Sequence, residues 1–218
     1  LFTAAGGVRV TGSLIGTPAT NTAILAIGTL AASWMGTTGA CMLLIHPLIR
    51  ANSWRRHTTH VFVFFIFLVG NVGGALSPLG DPPLFIGFLA GVDFFWVTTR
   101  MALPMLAVAV PLLAGFYLVD RWRFGQEAAP PAELTASPEP LGLEGKRNLV
   151  LLAAAIGAVL LSGVWRPGLT ITVHHIDIAL EDVVRSLLLL AITVLSWLIT
   201  RPEIRAQNQF SWFPMIEV

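Results

Sequence analysis

The chain has 218 residues, of which 55% are hydrophobic and 11% charged, and its mean hydropathy is +0.77. Soluble domains carry roughly 25% charged residues, so this composition predicts an integral membrane protein. The net charge of +1 gives no indication of nucleic-acid binding, and the single cysteine, Cys41, excludes an internal disulfide framework. The sequence begins with Leu1 rather than Met, and we interpret it as a fragment of a longer chain.

The first predicted membrane element follows a loop or β-hairpin that is rich in glycine and threonine, residues 1–19. Residues 20–49 are apolar, but Gly36-Thr37-Thr38-Gly39 interrupts them. Thirty residues would form a helix of about 45 Å, which is too long for one upright span, and each half is too short to cross alone. A re-entrant helical hairpin over residues 20–49, with the Gly-Thr-Thr-Gly stretch at its tip, is therefore favoured over a kinked span.

The second predicted element is a membrane helix whose centre is broken, residues 58–96. Val61–Val69 and Leu84–Trp96 are apolar apart from Asp93, and the segment Gly70–Pro83 between them contains four glycines and three prolines. A continuous helix of this length would measure about 58 Å, against a hydrocarbon core of about 30 Å. We therefore predict two half-helices joined by an unwound segment at membrane depth. Secondary transporters place their substrate and ion sites at such breaks.

The remaining chain divides into a span, a linker and two further spans. Residues 101–119 form a span that is predicted to bend at Pro104 and Pro111, and residues 120–147 form a proline-rich cytoplasmic linker. Spans at 148–165 and 183–200 enclose an aqueous loop. The predicted units are thus a first-repeat transport region (1–119), the linker (120–147) and the start of a second half (148–218).

The basic residues predict the orientation of these spans. Ten of them fall on the side that holds the linker and the hairpin base, whereas only Arg100, Arg166 and Arg185 fall on the other side. The positive-inside rule therefore makes the linker cytoplasmic.

Three stretches carry a resemblance to a known family: Ala32–Ala40, Asn71–Gly74 and Ser77–Leu84. They resemble bacterial sodium/proton antiporters and citrate transporters of the ion transporter superfamily, and the piece Leu198–Arg205 resembles them too. The resemblance implies a multi-pass protein of the bacterial inner membrane with two inverted repeats. Each repeat has a re-entrant hairpin and a broken helix, and the hairpin tip and the break together form half of the cation and substrate site. Only one such pair is visible in this sequence.

The candidate ion and substrate site consists of residues at the tip and the break that could supply oxygen ligands or close packing. They are Thr37, Thr38, Asn71, Gly74, Ser77 and Asp81, of which Thr37, Thr38, Asn71 and Asp81 are the proposed sodium ligands. A half-helix N-terminus at the same break would instead attract a carboxylate.

Structural alternatives stay open for several of these residues. Asp81 precedes two prolines and could serve only as a helix N-cap. The two threonines could simply close a turn, and Asn71 could simply satisfy freed backbone groups. The stretch His174–Asp177 lies in the predicted loop without further ligands, so we do not interpret it as a metal site.

These features predict a secondary active transporter, with sodium/proton antiport preferred and a cation-coupled citrate or other carboxylate carrier as the alternative. A non-transporting membrane subunit is a third hypothesis. We do not expect an enzyme, because the sequence has no nucleophile–base pair and no cofactor motif. No cofactor is expected beyond sodium ions and protons as transported or coupling ions. The expected partners are the lipid bilayer, small ions or a carboxylate, and a second copy in a homodimer, but no nucleic acid.

Overall fold

The computed structural model describes residues 1–131, 140–165, 167–173, 176–208 and 210–212. The helices in chain order are α1 (Phe2–Ala5), α2 (Pro18–Met35), α3 (Thr37–Asn52), α4 (Thr59–Leu68), α5 (Pro82–Leu89), α6 (Phe94–Phe124), α7 (Lys146–Val164), α8 (Leu180–Ile199) and α9 (Pro202–Gln207), with a 3-10 helix, Val72–Leu76, between α4 and α5. The strands are β1 (Arg9–Thr11), β2 (Gly142–Glu144), β3 (Thr170–Val173) and β4 (Ile176–Ala179).

The prediction of a mostly helical membrane protein is confirmed. Within the described residues, four stretches are long and apolar enough to cross a membrane: Thr59–Leu76, Phe94–Phe124, Lys146–Val164 and Leu180–Ile199. Their side chains are largely outward-facing, as Leu103 on α6 and Leu198 on α8 show with 76% and 74% exposure. The all-α description needs one amendment, because β1 pairs with β2 and β3 with β4 in two small antiparallel sheets. The second of these sheets lies where a loop was predicted.

Helices α2 and α3 form a helical hairpin. The chain turns between them at Gly36, whose φ of +83° favours glycine because a Cβ would be strained there. At the opposite end the Gly16 N–H donates to the Ala51 carbonyl at 2.8 Å, and Asn21 and Asn52 exchange side-chain hydrogen bonds of 2.9 and 2.8 Å. The two helices are therefore antiparallel, with their tip at the predicted position. The re-entrant placement of this hairpin in a bilayer and the inverted repeat stay predictions.

The predicted interruption of the second element is observed, but its second half is shorter than predicted. Helix α5 ends at Leu89, and Gly91 then adopts a φ of +98°. The Asp93 carboxylate accepts a 2.9 Å hydrogen bond from the Trp96 N–H and caps the next helix. The predictions of a half-helix reaching residue 96 and of a span beginning at residue 101 are therefore wrong, since α6 begins at Phe94. The missed signal is the aspartate, which is a preferred N-cap residue.

A buried polar network closes the base of the hairpin. Asp120 of α6 accepts hydrogen bonds from Arg55 at 2.5 Å, Asn21 at 3.0 Å and His60 at 2.8 Å, and Arg55 also donates to Asn52 at 3.1 Å. The side chains of Arg55 and Asp120 are both 0% exposed. The network joins both arms of the hairpin to α4 and α6, so it fixes the end that lies away from the tip. Asp120 therefore belongs to α6 and not to the predicted linker, 120–147.

A second link joins the α3–α4 connector to the chain just after α6. The Glu127 carboxylate accepts hydrogen bonds from the backbone N–H groups of Arg56 at 3.0 Å and His57 at 2.8 Å. Desolvation raises the pKa of Glu127, but these N–H donors and the His57 side chain outweigh it, so its pKa lies below the ordinary value.

The N-terminal segment packs against the second half of the chain. Asn148 of α7 donates to the Gly7 carbonyl at 3.1 Å, and Asn208 donates to the Gly6 and Val8 carbonyls at 3.0 and 2.7 Å. Strand β1 pairs with β2 from Arg9↔Glu144 to Thr11↔Gly142. Both ends of the predicted linker are thus structured, by α6 and by β2. Residues 132–139 of that linker lie outside the described part of the chain.

Candidate ion and substrate site

The hairpin tip touches the break of the second element. The Thr37 N–H donates to the Gly80 carbonyl at 3.3 Å, and Gly36 lies beside the Leu79 carbonyl. Within the break, a Cβ on Gly80 would lie 2.2 Å from the Gly74 carbonyl oxygen, so the two glycine backbones pack directly on each other. The close approach of tip and break therefore depends on glycine at these positions.

Two serines bind the hairpin to the break. The Ser77 hydroxyl donates to the Ser33 carbonyl near the end of α2 and accepts a 3.1 Å hydrogen bond from the Leu79 N–H. The Ser33 hydroxyl donates in turn to the Gly73 carbonyl. Ser77 is 0% exposed. Its hydroxyl hydrogen is already engaged, and its main contribution in this structure is to hold the unwound segment against α2.

The structure does not bring Asn71 to the other proposed sodium ligands. Its side-chain amide donates at 2.9 Å to the Ile66 carbonyl, which is one of the last carbonyls of α4. The residue is exposed and lies outside the lining of the cavity described next. The alternative in which Asn71 satisfies freed backbone groups fits this geometry.

A cavity of about 390 Å³ opens where the tip meets the start of α5. Its volume lies in the range of ligand pockets. Three of the six proposed site residues line it: Thr37, Thr38 and Asp81. Its apolar walls include Met35 of the hairpin and Phe85 of the broken helix, and also Leu1, Phe2, Val159 and Leu189, which lie in elements that the sequence did not connect with the site. No sequence signal marked the N-terminal segment, α7 or α8 as walls, because only tertiary packing brings them here.

The beginning of α3 gives one side of the cavity a positive potential. Its N-cap residue, Gly36, has no side chain that could accept from the first-turn N–H groups. The Thr37 N–H donates to the Gly80 carbonyl, whereas the N–H groups of Thr38 and Gly39 have no acceptor within their own helix; together these groups carry the positive end of the helix dipole. Among the described residues, the Thr37 and Thr38 hydroxyls have no hydrogen-bond partner. This side of the cavity therefore offers hydrogen-bond donors to an anion and hydroxyl oxygens to a cation.

Asp81 supplies the negative charge of the cavity. It occupies the N-cap position of α5, but its side chain makes no capping hydrogen bond. Pro82 and Pro83 have no N–H to donate, and the N–H groups of Leu84 and Phe85 bond to the Asp81 main-chain carbonyl at 3.1 and 3.2 Å. The carboxylate is consequently left available at the cavity wall, which favours a binding role over the capping-only alternative.

A family model described as "Putative citrate transport" matches residues 1–218. The chain belongs to this citrate transport family. The resemblance found in the sequence is thereby confirmed, and the protein is a multi-pass membrane transporter by its family and its four apolar stretches. No curated protein and no solved structure matches the chain. In the described part of this citrate transport family member, no three His, Cys, Asp or Glu residues cluster as metal ligands. His174 and His175 lie outside that part.

Proposed function

We propose that the cavity is one wall of the binding site of a secondary active transporter that carries a small carboxylate, such as citrate, together with a coupling cation. The observation that carries this proposal is the meeting, in one cavity, of the N-terminus of α3 and the unpaired Asp81 carboxylate. A substrate carboxylate would bind at the first turn of α3. A cation next to Asp81 would then lie between two negative groups and stabilise both.

The geometry favours the carboxylate carrier over the sodium/proton antiporter that the sequence favoured. Because the Asn71 amide is engaged elsewhere, the remaining cation ligands are the Thr37 and Thr38 hydroxyls and the Asp81 carboxylate. These groups supply fewer oxygen atoms than a desolvated cation needs. A substrate carboxylate would supply the missing oxygens. The family description supports the same choice.

Sodium/proton antiport is the second candidate, and Asp81 is the residue that supports it. A carboxylate at the cavity wall that neither caps a helix nor pairs with a described cation could serve as the site at which the two ions compete. Both candidates place the protein in the bacterial inner membrane with residues 120–147 in the cytoplasm.

The test is flux through the full-length protein in proteoliposomes. Citrate uptake is measured with an inward sodium, lithium or proton gradient, and sodium-driven proton movement is measured without citrate. We expect citrate uptake that requires a cation gradient. Sodium–proton exchange in the absence of citrate, without citrate uptake, would overturn the carboxylate proposal in favour of antiport.

Asp81→Asn and Asp81→Ala separate the roles of this residue. The Asp81 side chain makes no capping hydrogen bond, so we expect both variants to fold. Neither Asn nor Ala carries the negative charge that would hold a cation, so we expect both variants to lose cation dependence. Asp93→Asn is the matched control, because Asp93 caps α6 and lies outside the cavity lining. Unchanged cation dependence in Asp81→Asn would remove Asp81 from the coupling mechanism.

A further inference from the structure

Arg185 is a buried cation close to the cavity at the predicted non-cytoplasmic end of α8. The residue is only 8% exposed and lies in the second turn of the helix. Charged residues inside membrane segments are costly, and where they occur they usually serve binding or transport. Neither the candidate site nor its apolar walls include Arg185, so its burial needs a separate explanation.

Arg185 on α8 and its hydrogen-bond partner Ser162 on α7 each lie about one helical turn from a residue that lines the cavity. Leu189, four residues later on α8, lines the cavity, and so does Val159 on α7. Ser162, three residues after Val159, accepts a long hydrogen bond of 3.4 Å from Arg185. Residues three or four apart share a helix face. The same two faces therefore continue from the cavity to the Arg185 guanidinium.

Phe85 lies beside both Arg185 and the cavity. The Arg185 Cζ atom lies 5.7 Å from the centroid of the Phe85 ring, and that ring lines the cavity. Phe85 therefore borders both the guanidinium and the cavity. A rotation of this one side chain would connect the two, and α5, which carries Phe85, is only eight residues long.

The present partner of Arg185 is a carboxylate that can be exchanged. Asp182 lies 2.7 Å from Arg185 Nη1, and its side chain is 41% exposed. Asp182 also lies in the first turn of α8, where the helix dipole stabilises an acid without any help from Arg185. By contrast, the partner of Arg55 at the hairpin base, Asp120, is completely buried. Arg185 can therefore exchange one carboxylate for another without leaving a buried acid unpaired.

We propose that Arg185 binds a carboxylate group of the transported anion at the non-cytoplasmic mouth of the cavity, in the place that Asp182 now holds. This inference rests on the proposed function and adds the residue that recognises the charge of the substrate. A guanidinium suits the task because it binds a carboxylate through two parallel hydrogen bonds, which the ammonium of lysine cannot do. The anion would then pass Phe85 towards the N-terminus of α3.

The test measures initial citrate uptake against citrate concentration for the full-length protein in proteoliposomes. We expect Arg185→Gln to raise the KM for citrate at least about tenfold, from the loss of charge-assisted hydrogen bonds, with little change in the sodium concentration that gives half-maximal uptake. Arg185→Lys should fall between Arg185→Gln and wild type. Arg100→Gln is the matched control, because Arg100 is an exposed arginine on the same predicted side and should leave the KM unchanged.

Asp182→Asn tests the exchange of carboxylates without removing the guanidinium. We expect it to lower the KM for citrate, because the substrate no longer competes with an internal acid. If the Arg185–Asp182 pair were only structural, Asp182→Asn would lower folded yield or leave uptake as it is, and would not improve citrate binding. Either of these outcomes for Asp182→Asn, or a wild-type KM for citrate in Arg185→Gln, would overturn this inference and leave the proposed function in place. Absence of citrate uptake by the unmodified protein would overturn the proposed function and this inference with it.

Discussion

Breaking the buried ion pair at the hairpin base should destabilise the protein strongly. In Asp120→Asn the carboxylate is lost, while the Arg55 guanidinium stays in a site that is 0% exposed. Removing one partner of a buried pair costs about 3–5 kcal/mol. Arg55 keeps its hydrogen bonds to Gly16 at 3.3 Å and Asn52 at 3.1 Å, so we expect the lower end, about 3 kcal/mol.

Thermal unfolding of the full-length protein in detergent, followed by tryptophan fluorescence, measures this effect. For a domain of this size, about 3 kcal/mol corresponds to a fall in Tm of about 6–12 °C. Asp93→Asn is the matched control and should stay within about 0.5 kcal/mol of wild type, because Asn and Asp cap equally well at an exposed site. The double variant Arg55→Met with Asp120→Leu should recover only part of the loss, because it removes both buried charges but leaves Asn21 and His60 without their acceptor. A Tm for Asp120→Asn within 2 °C or so of wild type would refute the buried pairing.

Three further predictions concern the break and the link between Glu127 and the α3–α4 connector. Gly80→Ala should lower the free energy of unfolding by about 1–3 kcal/mol and reduce citrate uptake, because the new Cβ would meet the Gly74 oxygen at 2.2 Å. Gly157→Ala on α7 meets nothing within 4 Å and should be neutral or slightly stabilising in the same unfolding assay. Asn71→Ala should cost about 1 kcal/mol of stability but leave the sodium dependence of uptake unchanged; a large shift in that dependence would restore Asn71 as a ligand. Glu127→Gln should lower Tm at pH 7, because the pKa of Glu127 is lower in the folded protein than in the unfolded chain. The difference from wild type should begin to shrink as the pH falls below the ordinary glutamate pKa of about 4.3, and should vanish below the folded-state pKa.

The sequence predicted the hairpin tip and the break because glycine and proline interrupt apolar runs there. Such local signals need no knowledge of neighbours: Gly36 turns the chain, and Pro82 and Pro83 begin a helix. The end of α5 was missed because Leu84–Trp96 is apolar throughout except at Asp93. Hydropathy alone cannot separate one helix from two when the turn between them is itself apolar.

The candidate site was predictable only in part, for a related reason. Thr37, Thr38 and Asp81 were proposed because they lie beside the interruptions, and the structure places all three around one cavity; their role as ligands stays a prediction. Asn71 lies beside an interruption too, but its amide bonds to its own helix end. Which way a side chain points at a break depends on packing. The position of Leu189 in the cavity wall, and of Arg185 near it, depends on the contact of α8 with α5 and α7, which no local pattern encodes.

The packing of the N-terminal segment on the second half has a consequence for how the molecule could be assembled from pieces. Main-chain carbonyls of residues 3–8 are held by side chains of α7, α8 and the residue after α9, and β1 adds three residue pairs with β2. This segment is held much as a bound peptide is held, by β-strand addition and polar contacts to its backbone. A chain cut between α6 and β2 therefore keeps an anchor across the cut. Co-expression of the two pieces should reconstitute the fold by complementation, whereas a first piece that lacks residues 1–11 should fail to capture the second.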